Sequence, residues 1–142
     1  MYCNKVNIEF DSISNNEAFA RMVTVAFLAP LDPTIDELTD IKTAVSEAVT
    51  NSIIHGYDEK NGKIYMNMFL EDNKFRVEII DNGIGIEDID KAMEPMYTTK
   101  EKEDRSGMGF CFMEAFMDEL EFISSKNKGT KIIMTKYINK ED

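Results

Sequence analysis

The chain has 142 residues, 43% hydrophobic and 30% charged, with a formal net charge of −11. That length supports one domain over residues 1–142 with a proper core, and two would not fit. The acidic balance argues against direct contact with nucleic acid or an anionic membrane, whose phosphates would be repelled, while permitting a basic protein partner. No apolar run approaches the roughly 20 residues that span a bilayer, and the N-terminus lacks a signal-peptide core, so a cytoplasmic protein without membrane contact is expected. Cys3 and Cys111 are far apart and lack metal-ligand spacing, which suits buried or idle thiols better than a disulfide.

Lys5 to Phe10 alternates polar and apolar residues, with Val6, Ile8 and Phe10 on one side, and predicts a strand. Ser14 and Glu17 have capping-box spacing ahead of a first helix over Ala18 to Ala29. Arg21 is a cation in that mostly apolar helix and by itself reads as a surface residue with a snorkelling stem. Pro30-Leu-Asp-Pro33 ends the helix, and Thr34 with Glu37 makes a second capping box for a central helix over Asp36 to Gly56. There Leu38, Ile41, Val45, Ala48, Val49 and Ser52 recur at three- and four-residue steps and share one face. Glu47 and Asn51 stack one turn apart on a face roughly opposite Val45. Taken alone, the pair reads as a solvated face. Its chemistry also suits metal holding and nucleophile orientation, since both side chains offer oxygen atoms at a fixed separation. His55-Gly56 is a stop signal, with His55 as a capping residue.

Lys63 to Glu71 and Phe75 to Ile80 both alternate, and the polar turn between them predicts a hairpin. Asp81-Asn82-Gly83-Ile84-Gly85 follows. It suits an ordinary Asn-Gly turn, or a pocket floor where Asp81 accepts a hydrogen bond from a base and the glycines let a ring approach. A short helix is expected over Glu87 to Met93, and the polar stretch Glu94 to Ser106 lacks periodicity, as a functional or disordered loop does. Gly107-Met108-Gly109-Phe110 opens a helix to about Leu120, with Phe112, Ala115, Phe116 and Leu120 as its buried stripe. Glycines there expose backbone N–H groups at a positive helix end, a suitable anion site. Two last strands, Glu121 to Ser124 and Thr130 to Ile138, flank a Lys-Gly turn, and Lys126, Lys128, Lys131 and Lys136 read as edge protection. The order of elements favours an α+β two-layer sandwich, with helices on one face of a mixed, mostly antiparallel sheet.

Taken together, Glu-x-x-x-Asn on a helix, Asp-x-Gly-x-Gly after a strand, a polar lid, Gly-x-Gly at a helix start and Gly-Thr before a last strand are far more specific than any one of them. This constellation resembles the Bergerat-type ATP-binding fold of gyrase, Hsp90, histidine kinases and MutL, over about residues 5–138. The runs Ser-Glu-Ala-Val-Thr-Asn-Ser-Ile-Ile-His-Gly-Tyr, Tyr-Thr-Thr-Lys and Arg-Ser-Gly-Met-Gly-Phe are similar to the anti-sigma-F factor family of spore-forming bacteria. The resemblance implies an ATP- and Mg2+-dependent protein serine kinase that holds a sporulation sigma factor and phosphorylates an anti-anti-sigma protein, leaving ADP. It also implies a homodimer. Position by position, it makes Glu47 the general base, Asn51 a magnesium ligand and Asp81 the acceptor for the adenine amino group. Gly83 and Gly85 would lie beneath the base, with Thr130 helping from the last strand. Thr98, Thr99 and Lys100 would close over the triphosphate, and Arg105 would reach the γ-phosphate. Gly107 and Gly109 would present backbone donors to it, within a nucleotide-binding run that includes Ser106, Met108 and Phe110. Arg21 would contact the sigma factor and the anti-anti-sigma substrate. Ser46 stands where histidine kinases place their histidine before the Glu, and no separate phosphoacceptor helix follows. Two other readings stay open: a stress-response kinase of the same family, and a binding module that ATP controls without catalysis. A pure switch has no need of a base at Glu47.

Overall fold

In a computed structural model that describes residues 2–58, 60–84, 109–124 and 127–139, the alternating N-terminal stretch forms strand β1 (Cys3–Asp11). Helix α1 (Asn15–Leu28) follows, but the expected capping box at its start is not made. Ser14 has helical backbone angles, φ −54° and ψ −36°, and its side chain caps nothing. An N-cap side chain reaches the next turn from extended backbone, which Ser14 does not adopt. A 3₁₀ turn, Ala29–Leu31, ends the helix at the proline. Helix α2 (Ile35–Asn51) then opens with its predicted box: Glu37 N donates to Thr34 Oγ1 at 3.1 Å, and Thr34 N donates to Glu37 Oε1 at 2.8 Å. Its far end does not simply stop. The chain widens into a π-helical turn over Ser52–Gly56.

Strands β2 (Lys63–Glu71) and β3 (Lys74–Asp81) form the expected hairpin, and helix α3 (Gly109–Phe116), β4 (Glu119–Ser124) and β5 (Thr130–Tyr137) complete the described elements. The sheet order is β1-β2-β3-β5-β4, and all four pairings are antiparallel, so the expected mixed sheet is not found among the described residues. Chain direction explains this. Two helical passes between β1 and β2 return the chain antiparallel, and β4 runs parallel to β3 only with β5 between them.

The helices cover one face of the sheet. Ile41, Ala44, Val45, Ala48 and Val49 of α2 are fully buried, as are Met66, Met68, Val77, Ile79, Ile132 and Met134 of the strands. Burying each large apolar side chain stabilises the fold by roughly 1.5–3 kcal/mol relative to exposure. Helix α3 ends at Phe116, and Leu120 belongs instead to β4, opposite Met134. The buried residues here are Met113 and Met117. Ala115 is exposed, and Phe112 and Phe116 are half-buried with their rings stacked at 5.9 Å. Apolar residues encircle this short helix, so periodicity could not single out a stripe, and the flexible methionines reach the core. The edge expectation is corrected for Lys131 and Lys136, whereas Lys128 is exposed between β4 and β5 and Lys126 lies outside the described residues. β5 is an interior strand, where Lys131 lies 3.7 Å from Glu78, and Lys136 donates to the Phe116 carbonyl at 2.8 Å, 3.6 Å from Asp40. Cys3 and Cys111 form no disulfide, and no described helix is long and apolar enough to cross a membrane. The short helix expected over Glu87 to Met93 and the loop to Ser106 lie outside the described residues.

Candidate active site

Successive residues of an α-helix are about 100° apart around the axis, so neighbours on α2 can serve different partners. Ser46 turns to α1 and Glu47 to α3. The face expected to be solvated is therefore covered: Glu47 is half-buried and Asn51 is 8% exposed. A Cβ added to Gly109, at the start of α3, would come within 3.0 Å of Glu47 Oε2. Glycine at that position lets the helix start approach the carboxylate.

The π-helical turn brings the end of α2 against β3. Ser52 Oγ donates to Asp81 Oδ2 at 2.7 Å, and Gly83 N donates to Asp81 Oδ1 at 3.0 Å. A Cβ at Gly83 would stand 1.9 Å from the Gly56 carbonyl oxygen, which accepts a hydrogen bond from Ile84 N at 2.9 Å. Asn82-Gly83 is thus no hairpin turn. Gly83 is needed for close approach of two backbone segments, and φ at Gly83 is not positive. Tyr57 pins the same corner, with its hydroxyl accepting from Asn82 N at 2.8 Å and donating to the Lys63 carbonyl.

Asp81 is only 1% exposed. Burial raises its carboxyl pKa above the ordinary 3.8, against the opposing hydrogen bonds from Ser52, Gly83 and the Thr130 backbone. Thr130 sits opposite Asp81 across the β3–β5 ladder and is itself buried, with its hydroxyl 2.8 Å from Ser124 Oγ. Gly129 precedes it at φ 81°, with no space for a Cβ beside the Asp81 carbonyl oxygen. A cleft of about 240 Å³ opens at this end of the sheet, lined by Asp81, Asn82, Ser124, Gly129 and Thr130 among others, but not by Glu47 or Asn51.

The structure therefore gathers Asp81, Gly83 and Thr130 at one corner, with Glu47 and Gly109 in contact along α2 and Asn51 between the two groups. Phe110 packs its ring edge-on against Phe122, with centroids 4.5 Å apart, and so helps anchor α3 to β4. Arg21 lies on α1, ion-paired with Glu17. Gly85, Thr98, Thr99, Lys100, Arg105, Ser106, Gly107 and Met108 lie outside the described residues. Sequence reasoning missed Ser52, Gly56 and Tyr57 as parts of the corner. A serine in an otherwise apolar buried stripe was the available signal, because a buried hydroxyl needs a partner.

Among the described residues no group of three or more His, Cys, Asp or Glu could hold a metal by itself. Magnesium in nucleotide sites takes few protein ligands and otherwise uses water and phosphate oxygens, so the amide oxygen of Asn51 fits that role.

Residues 13–136 match the model of the histidine kinase-like ATPase domain. An anti-sigma F factor from a Thermoanaerobacter species is 57% identical over 140 residues, covering 99% of this chain and 98% of its own. One from Clostridium botulinum is 59% identical, covering 98% of each chain. The chain belongs to the anti-sigma F factor family. Members are ATP-dependent protein serine kinases built on a histidine kinase-like ATPase domain, and this chain is an anti-sigma kinase of that kind. The solved RsbU and RsbW domains of a Mycobacterium tuberculosis protein superpose with a TM-score of 0.70 at 23% identity, covering 97% of this chain and 33% of that one. That likeness shows the fold.

Proposed function

We propose that this anti-sigma F family kinase binds and inhibits a sporulation sigma factor and inactivates an anti-anti-sigma protein by phosphorylating one of its serines. The observation that carries the reading is the placement of Glu47 against Gly109, one helical turn from buried Asn51, on the helix whose next residue, Ser52, bonds to Asp81. The Asp81 carboxylate accepts a hydrogen bond from the adenine amino group, Gly83 and Thr130 shape the floor, and Asn51 would hold Mg2+. That ion neutralises phosphate charge when bound. Glu47 takes the proton from the substrate serine hydroxyl as its oxygen bonds to the γ-phosphorus. The bond from that phosphorus to the bridging oxygen breaks, and the electron pair leaves with ADP. Positioning and charge neutralisation are the main demands of phosphoryl transfer, and both suit the buried Asn51 and Asp81 side chains. Gly85, Thr98, Thr99, Lys100, Arg105, Ser106, Gly107, Met108, Gly109 and Phe110 complete the nucleotide site in this reading, and Arg21 docks both protein partners. The protein acts as a homodimer in the cytoplasm.

The test is incubation with magnesium and γ-labelled ATP, with and without the anti-anti-sigma protein. Label on a serine of that protein, lost in Glu47→Ala, is the expected result. Tight ATP binding without transfer would instead leave a module that ATP controls without catalysis.

A further inference from the structure

We infer that Glu17 is a positioning residue, which holds the Arg21 guanidinium ready for its protein partner and is itself held by the Ser46 hydroxyl of α2. This rests on the reading that Arg21 docks the phosphoacceptor protein. Glu17 and Arg21 are one turn apart on α1, where Arg21 Nη2 donates to Glu17 Oε2 at 3.2 Å. Arg21 Nε lies 3.1 Å from Oε1, close enough for an ion pair but not aligned for a hydrogen bond. Ser46 Oγ donates to the same Oε1 from the neighbouring helix.

An ordinary helix-surface pair leaves both side chains in water and adds little. Here the two ends differ. The Glu17 side chain is 21% exposed and lies between two helices, whereas Arg21 is 42% exposed and still faces solvent. Glu17 also gives up the local role its position suggests, since no side-chain cap forms at Ser14. A carboxylate fixed from α2 orients a fork of donors on α1, and an arginine already in its bound pose loses less freedom on docking. Ser46 directly precedes Glu47, so one turn of α2 carries both the anchor of the docking arginine and the base. The arrangement sets the substrate surface in register with the residue that takes its proton.

Steady-state phosphorylation of the anti-anti-sigma protein at saturating MgATP tests this, with ATP affinity measured separately. Glu17→Gln should raise KM for the protein substrate about three- to tenfold, with kcat and ATP affinity unchanged. Ser46→Ala should raise KM by a smaller factor, and Ser46→Thr should restore it. The double variant Glu17→Gln/Arg21→Ala should have the KM of Arg21→Ala alone, because a positioning residue has nothing left to position. Additive effects, or an unchanged KM in both Glu17→Gln and Ser46→Ala, would overturn the inference while Arg21→Ala still raises KM. If Arg21→Ala itself leaves KM unchanged, the docking reading fails first. Should Glu17→Gln fold poorly, Ser46→Ala and its threonine rescue decide the matter.

Discussion

The Asp81 corner and the α1–α2 seam are both polar arrangements attached to α2, yet they are built by opposite means. At the corner, burial and backbone contact do the holding: Asp81 is 1% exposed, Gly83 touches the Gly56 carbonyl, and the partners of Asp81 include two backbone N–H groups. At the seam, side chains hold side chains, and the arginine remains 42% exposed. The first kind of site tolerates almost no added atom and is barely screened by salt. The second tolerates conservative change and is screened. A base ring needs a rigid, dry floor, whereas a protein partner needs charge it can reach.

Glu47 lies on the turn of α2 that joins the two regions, and its removal should have the largest effect. Glu47→Ala is expected to lower phosphorylation about 10²- to 10⁴-fold, the usual share of a general base, while ATP binding persists. Unchanged transfer would remove it from catalysis. At the corner, Gly83→Ala forces a methyl against a backbone carbonyl, so it should cost about 3 kcal/mol of stability, visible as a drop of about 10 °C in Tm. A variant melting like the parent would show that the two backbones can separate freely.

Asp81→Asn should weaken ATP binding about ten- to hundredfold at neutral pH, measured by calorimetry. Its pH dependence sharpens the point. Burial raises the folded-state pKa above 3.8, so the folded protein holds this proton more tightly than the unfolded chain. That contribution to stability is present below the unfolded pKa and is lost as pH rises through the folded value. Over the same window above pH 3.8, ATP affinity should fall with falling pH as the carboxylate protonates, and Asp81→Asn should flatten that slope. Parallel slopes would place the titrating group elsewhere.

The smallest expected difference is in salt. Raising ionic strength from 0.1 to 0.5 M shortens the Debye length, about 10 Å at the lower value, and should raise KM for the protein substrate about two- to fivefold. Adenine recognition should change less. Equal sensitivity would erase the contrast between the regions.

Much of this was legible beforehand. The Thr34–Glu37 box, the core stripe of α2 and the β2–β3 hairpin follow from local periodicity and capping, which are properties of neighbours in sequence. The Glu47–Asn51 pair and Asp81 were visible as residue types at informative spacing. Their surroundings were not. No local pattern says that α3 covers the Glu47 face, that Ser14 stays uncapped while Glu17 bonds across to Ser46, or that Lys131 and Lys136 sit on an interior strand.

The sequence by itself determined most of the elements, the α+β class and which polar and glycine residues stand at informative spacing, because period, caps and side-chain type act over a few residues. Tertiary structure decided which of those residues meet. Ser52 reaches Asp81 across 29 positions, as Ser46 reaches Glu17, and contacts of that span exist only once the helices are packed on the sheet.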